Sequence, residues 1–235
     1  MFPVTLLRCG PVLALVAVLG CRSAGTASRD GNTEATIESG LVLAYDFETV
    51  IPVANAAPGG LPGTVHGATP VKGRQGMGLH FDGDDWVDTG LSQTVEHRAF
   101  AFWIQADAVP QKDVIPFGTM HDESRLYLGY PPEENTIGLG IGPVSYYGKG
   151  VSFVQDTLWH HVVLNRAEGE ARLYVDGKRL QAIPDGTVAA AGVYYVGAIN
   201  KAHLGQAMLH FKGTIDSVRI WNRPLNVLEI ASLAL

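Results

Sequence analysis

From Leu41 onward, short runs of β-branched and aromatic residues alternate with turns rich in glycine, aspartate and proline. The first run, Leu41–Glu48, places Leu41, Leu43, Tyr45 and Phe47 on one face of a strand. Val42, Ala44, Asp46 and Glu48 fall on the other. Residues 52–62 are rich in alanine, glycine and proline and predict a loop. Strands follow at 76–81 and 86–90, separated by the turn Asp82-Gly83-Asp84-Asp85, and at 100–106, the most apolar run. The pattern continues through 114–117, 125–130, 136–141, 144–147 and 159–165. Residues 171–175 and 176–180 predict a hairpin, because Asp176-Gly177 supplies the positive φ a tight turn needs. After 193–197 comes a long last run, Phe211 to Trp221, stopped by Asn222 and Pro224. Strict alternation there puts Thr214, Asp216, Val218 and Ile220 on one face, with Ile215, Ser217, Arg219 and Trp221 on the other. Only residues 225–235 have helical spacing. About a dozen short strands with polar turns and little helix predict an all-β, two-sheet antiparallel sandwich.

The first forty residues differ from the rest. Residues 1–20 carry one cation, Arg8, before the apolar run Val12–Leu19, which is too short to span a bilayer and has the shape of an export signal. Val18-Leu19-Gly20-Cys21 resembles a bacterial lipobox, which implies cleavage before Cys21 and acylation of its thiol. Arg22 in place of an aspartate after that cysteine points to the outer membrane. Residues 21–39 are small and polar and predict a flexible tether, leaving 40–235 as one domain. Cys9 and Cys21 are the only cysteines, so the domain has no disulfide, thiolate metal site or cysteine nucleophile. The net charge of -6 argues against nucleic acid or an anionic membrane surface as partner.

Few residues suggest chemistry. Asp216 sits in mid-strand among apolar neighbours, where a charge is costly unless it is paired or holds a metal. It is either an edge residue facing water or a ligand for a hard cation. Asp84 and Asp85 are expected in a solvated turn. His160 and His161 are adjacent on a strand, point to opposite faces and cannot share an ion. One of them is expected in the core as a neutral imidazole, and no histidine spacing suits zinc. No strand-face carboxylate pair of the kind glycoside hydrolysis needs is present, nor a nucleophile elbow or phosphate-binding loop. Tyr130, Tyr146 and Tyr147 border the glycine-rich middle of the chain, where an aromatic face can stack on a sugar ring. Trp86, Trp103, Trp159 and Trp221 are expected mostly in the core.

Several phrases in order carry a resemblance: Leu79-His80-Phe81-Asp82-Gly83 with Trp86-Val87, Phe100–Ile104, Trp159-His160-His161-Val162, Leu173-Tyr174-Val175-Asp176-Gly177, and Gly213-Thr214-Ile215-Asp216-Ser217-Val218-Arg219-Ile220. The chain resembles laminin G-like jelly-roll domains of the concanavalin A-like superfamily. The resemblance implies sheets of about six or seven strands with the first and last strands close together. It also implies a structural calcium ion (Ca2+) held by Asp216, with Asp46 or Asp82 as a second carboxylate. The expected function is a non-catalytic binding module on a bacterial envelope, recognising a glycan through its loops. A protein partner, or a glycoside hydrolase with a dispersed carboxylate pair, is the alternative.

Overall fold

A computed structural model describes residues 37–94, 96–121, 124–130, 137–142, 144–147, 157–186, 192–201 and 204–235. Seventeen strands are found among them: β1 Leu41–Tyr45, β2 Thr64–His66, β3 Thr69–Lys72, β4 Met77–Asp82, β5 Trp86–Ser92, β6 Ala99–Ala106, β7 Val114–His121, β8 Ser124–Tyr130, β9 Gly138–Ile141, β10 Val144–Tyr147, β11 His160–Ala167, β12 Glu170–Val175, β13 Lys178–Pro184, β14 Val193–Val196, β15 Ile199–Lys201, β16 Gln206–Met208 and β17 Lys212–Trp221. One helix, α1 (Val227–Leu233), follows. The strands form two sheets. The eight-stranded sheet runs β13-β12-β11-β6-β17-β4-β3, with β1 also on β17. The nine-stranded sheet runs β10-β9-β8-β7-β14-β5-β2, and β15 and β16 join it at β7. This is the antiparallel jelly-roll sandwich that the run pattern predicts, with more strands per sheet than the resemblance implies.

The core lies between the sheets. Phe100, Phe102 and Ile104 of β6 meet Phe117 of β7 and Tyr194 of β14, with Phe100 and Tyr194 edge to face at 5.6 Å. Val162, Leu164, Leu173, Ile215, Val218 and Ile220 extend the same layer. Burying these side chains is the main stabilising term, roughly 1.5–3 kcal/mol for each large apolar group.

Strict alternation fails in the last strand, for a local reason. Ser217 has φ +52°, and the β17–β6 register shifts between Asp216 and Arg219. One extra residue is accommodated there as a β-bulge, which reverses the phase of every side chain beyond it. Val218 and Ile220 therefore point into the core with Ile215, whereas Arg219 and Trp221 share the outer face with Asp216. A second shift, between Leu41 and Leu43 of β1, turns Leu41 outward to Trp221 while Leu43 and Tyr45 stay in the core.

Outside the eight-stranded sheet, α1 covers a second apolar layer of Ala99, Ala101, Val163, Tyr174, Trp221, Leu225 and Ile230. Asn226 caps the helix, accepting from the Leu228 and Glu229 N–H groups, while the Glu229 carboxylate accepts from the Asn226 N–H. The buried Glu229 also pairs with Arg223 at 2.7 Å. Burial pushes its pKa up, but the Arg223 hydrogen bond and the Asn226 N–H outweigh that and leave it below the usual carboxylate range. The predicted hairpin is present between β12 and β13, with Asp176 and Gly177 at φ +47° and +73°.

Candidate functional site

At the end of the sandwich where β4 and β6 finish and β17 begins, three connections meet. The end of β4 and the turn after it bring Asp82 and Gly83. The β6–β7 connection brings Asp107, Ala108, Val109, Pro110 and Lys112. His210 and Lys212 come from the approach to β17. A cleft of about 700 Å³ opens between them, with Asp82, Asp107, Lys112, His210 and Lys212 on an otherwise apolar wall. The size and the mixture of apolar surface with a few polar groups are those of a small-molecule site.

The acidic turn is one wall of the cleft. Carboxylate oxygens of Asp82, Asp84 and Asp85 lie within 4.8 Å of one another. Asp85 is buried because its Oδ2 accepts the Asp82 N–H at 2.8 Å, closing the turn on itself. A hydrogen bond from Asp84 holds Asp82 below the usual carboxylate range, and the same contact pushes Asp84 above it. Like charges this close resist joint ionisation, so the donor set suits a hard cation that would relieve the repulsion. Asp84 is exposed, as a solvated turn would have it, whereas Asp85 is buried.

Beside the cleft is an aromatic surface. Trp86 stacks on His66 with centroids 4.4 Å apart and planes at 11°, and it lies 5.9 Å from His210 and 6.2 Å from Tyr195. Trp86 is half-exposed at the start of β5, not in the core as the sequence reading has it. The signal was available in its parity. Val87 and Thr89 point inward, so Trp86 shares the outer face with Asp88. His210 Nδ1 donates to the Asp85 carbonyl at 3.0 Å and so ties the aromatic surface to the acidic turn.

The other predicted site residues lie elsewhere. Tyr130 is buried at 4% exposure and stacks on Phe211, so its ring offers no face to a sugar; burial also pushes its hydroxyl far above the ordinary value. The parity of β8, with Leu126, Leu128 and Tyr130 all inward, is the reason. Tyr146 and Tyr147 belong to β10, the edge of the nine-stranded sheet, and their side chains lie outside the described residues. Cys21 lies outside them as well.

Asp216 and Asp46 are each bonded to protein donors. Asp216 is fully buried on the outer side of β17. Its Oδ2 accepts the Gln75 N–H at 2.9 Å and its Oδ1 the Ser217 hydroxyl at 3.1 Å. Desolvation pushes its pKa above the ordinary value, opposed by those hydrogen bonds. Asp46 receives the Arg219 guanidinium. Both carboxylates serve protein donors, and among the described residues neither stands in a carboxylate cluster that could hold a metal. Asp216 instead fastens the β3–β4 turn to the sheet. Asp82, the third predicted metal residue, is the one that stands in a carboxylate cluster.

The adjacent histidines part as expected. His160 Nδ1 bonds Asp176 Oδ2 at 2.8 Å. His161 is 2% exposed on the outer side of the sheet, and burial lowers its pKa to about 4.

Comparison with known proteins agrees with this architecture. A laminin G-like family model, described as concanavalin A-like lectin/glucanases superfamily, matches residues 81–231, more than half of the chain. No curated protein matches it by sequence. Among solved structures, domain 4 of a GH43 extracellular arabinanase from Geobacillus stearothermophilus, in complex with arabinotriose, superposes with a TM-score of 0.66 at 18% identity, covering 83% of this chain and 98% of that one. A botulinum neurotoxin type C structure, whose cell entry depends on two ganglioside molecules, gives 0.61 at 13% identity over 86% of this chain and 52% of that one. Trypanosoma rangeli sialidase in complex with the inhibitor DANA gives 0.53 at 18% identity over 74% and 29%. At such identities the likeness is one of fold, whereas the family match is one of sequence. The chain belongs to the concanavalin A-like lectin/glucanases superfamily, as a laminin G-like domain.

Proposed function

We propose that this protein is a carbohydrate-binding module that receives a glycan across Trp86 and into the neighbouring cleft. The observation that carries the reading is the half-exposed Trp86–His66 stack beside a 700 Å³ cleft with carboxylate, lysine and imidazole groups on its wall. A flat apolar face next to a few directional polar groups suits a ring with one apolar side and a rim of hydroxyls. The arabinotriose held by the arabinanase domain and the gangliosides of the toxin are in keeping with it. Calcium, if bound, is assigned to Asp82, Asp84 and Asp85, where it would stiffen the turn that forms one wall. We further place the module on a bacterial envelope through lipid at Cys21. Strand β17 runs from Lys212 at the cleft to Trp221, which pairs with Leu41. The N-terminal attachment and the cleft are then roughly 30 Å apart along that strand, so an anchored domain would hold the cleft away from the membrane.

A glycan screen of the purified protein, in calcium and in chelator, tests this. Trp86→Ala is expected to weaken glycan binding at least tenfold with little change in stability. Asp84→Asn is expected to remove any calcium-induced rise in Tm. No glycan binding in either condition would overturn the reading in favour of a protein partner. A hydrolase is the second reading, since Asp82 and Asp107 line the same cleft. Asp107 is paired with His80 at 3.1 Å, which suits a fixed anion better than a proton-shuttling acid. Turnover of a polysaccharide that Asp107→Asn abolishes would establish catalysis.

A further inference from the structure

A second cavity, of about 200 Å³, lies on the outer face of the eight-stranded sheet, between the β3–β4 turn and the end of α1. Its walls include Gln75, Trp103, His161, Ser217, Arg219 and Ser232. Two buried polar atoms among these residues have no partner: Nδ1 of His161 and Nη1 of Arg219. His161 stands opposite Trp103 across β11 and β6, and Arg219 stands opposite Ala101 across β17 and β6. The two groups therefore occupy successive rows of the same sheet face, which the bulge at Ser217 makes possible by turning Arg219 outward.

An unpartnered guanidinium nitrogen is an unusual cost. It can only donate and cannot lose its proton, so leaving it dry forfeits its desolvation energy with nothing in return. One bridging water needs roughly 10–15 Å³, so this cavity has room for an oxyanion group as well as for water. The charges favour an acceptor that is itself negative. A second guanidinium, Arg74, lies 4.6 Å over the Trp103 ring beside the cavity. The nearby carboxylates are engaged elsewhere, with Asp46 on Nη2 of Arg219 and both Asp216 oxygens on the Gln75 N–H and the Ser217 hydroxyl. The Ser232 hydroxyl donates to the Glu229 carbonyl. Ser217, in the left-handed region at φ +52°, holds strained backbone at the rim, as binding sites often do.

We propose that this cavity binds an oxyanion group, carboxylate or phosphate, through Arg219 Nη1 and His161 Nδ1, with Arg74 above it. The site is separate from the glycan cleft and does not depend on that reading. The test is NMR of the histidine side chains in the full-length protein during titration with inorganic phosphate, acetate and glucuronate. The expected result is a saturable shift of the His161 imidazole. Arg219→Gln should weaken affinity about tenfold or more, and Arg74→Ala should weaken it less, with glycan binding unchanged in both. Glucuronate binding without acetate binding would identify an acidic sugar as the source of the group; equal response to acetate and phosphate would identify a free ion. A cavity holding only water gives no saturable His161 shift with any of the three, and that result overturns the proposal, as does an affinity unchanged in Arg219→Gln. Should Arg219→Gln fail to fold, Arg74→Ala and the wild-type His161 shift decide.

Discussion

Two buried histidines are held neutral. Burial, with Arg166 nearby, lowers His97 to about 4, and burial also lowers His161 to about 4, where Asp176 pulls upward and Arg219 downward. The unfolded chain takes up these protons near pH 6.5, while the folded chain refuses them until about pH 4. The unfolded state therefore binds more protons in that window, and stability rises with pH across it. Chemical denaturation between pH 4 and 7 should show this loss on acidification, and His97→Gln with His161→Gln should flatten it. Asp216 is the other residue whose setting decides its effect. Asp216→Ala leaves the part-buried Gln75 N–H and Ser217 hydroxyl unanswered and is expected to cost about 2 kcal/mol in urea unfolding. The sequence marks Asp216 as costly and so as needing partners. It does not mark which partners, because Gln75 is 141 residues away in the chain.

Elements were legible where local chemistry alone decides them. The Asp176-Gly177 turn, the apolar run of β6 and the C-terminal helix need only their own residues. Phase along a strand was not, since one residue at Ser217 reverses the faces of β17 and nothing in a run of alternating side chains announces it. The sequence reading also passed over β2, β3, β15 and β16, which are three or four residues long and carry His66, Pro70 or Lys201 where an apolar signal would be sought. Pro70 is tolerated because β3 is an edge strand. For the helix, Asn226→Ala removes the cap and is expected to cost about 1 kcal/mol by thermal melting. Because Glu229 lies below the usual carboxylate range, its contribution is complete above the unfolded value and fades as pH falls through the folded one. The penalty of Glu229→Gln should therefore shrink in acid.

At the scale of the molecule, the cleft could not be read from the sequence, because its walls come from three connections that only the fold brings together. Its acidic turn and Trp86 are contiguous in sequence, yet their partners Asp107 and His210 are not. The order of strands in the eight-stranded sheet has a further consequence, in time and not in space. The last strand made is a central one: β17 pairs with β6, β4 and β1, and without it β1 has no partner in that sheet. While residues 212–221 are still being synthesised, the flanks of β4 and β6 remain open edges able to pair with the wrong chain. Such late, non-local pairing is slow, milliseconds to seconds. A cell making this protein must keep β1 and the open flanks of β4 and β6 from pairing wrongly until residues 212–221 have emerged.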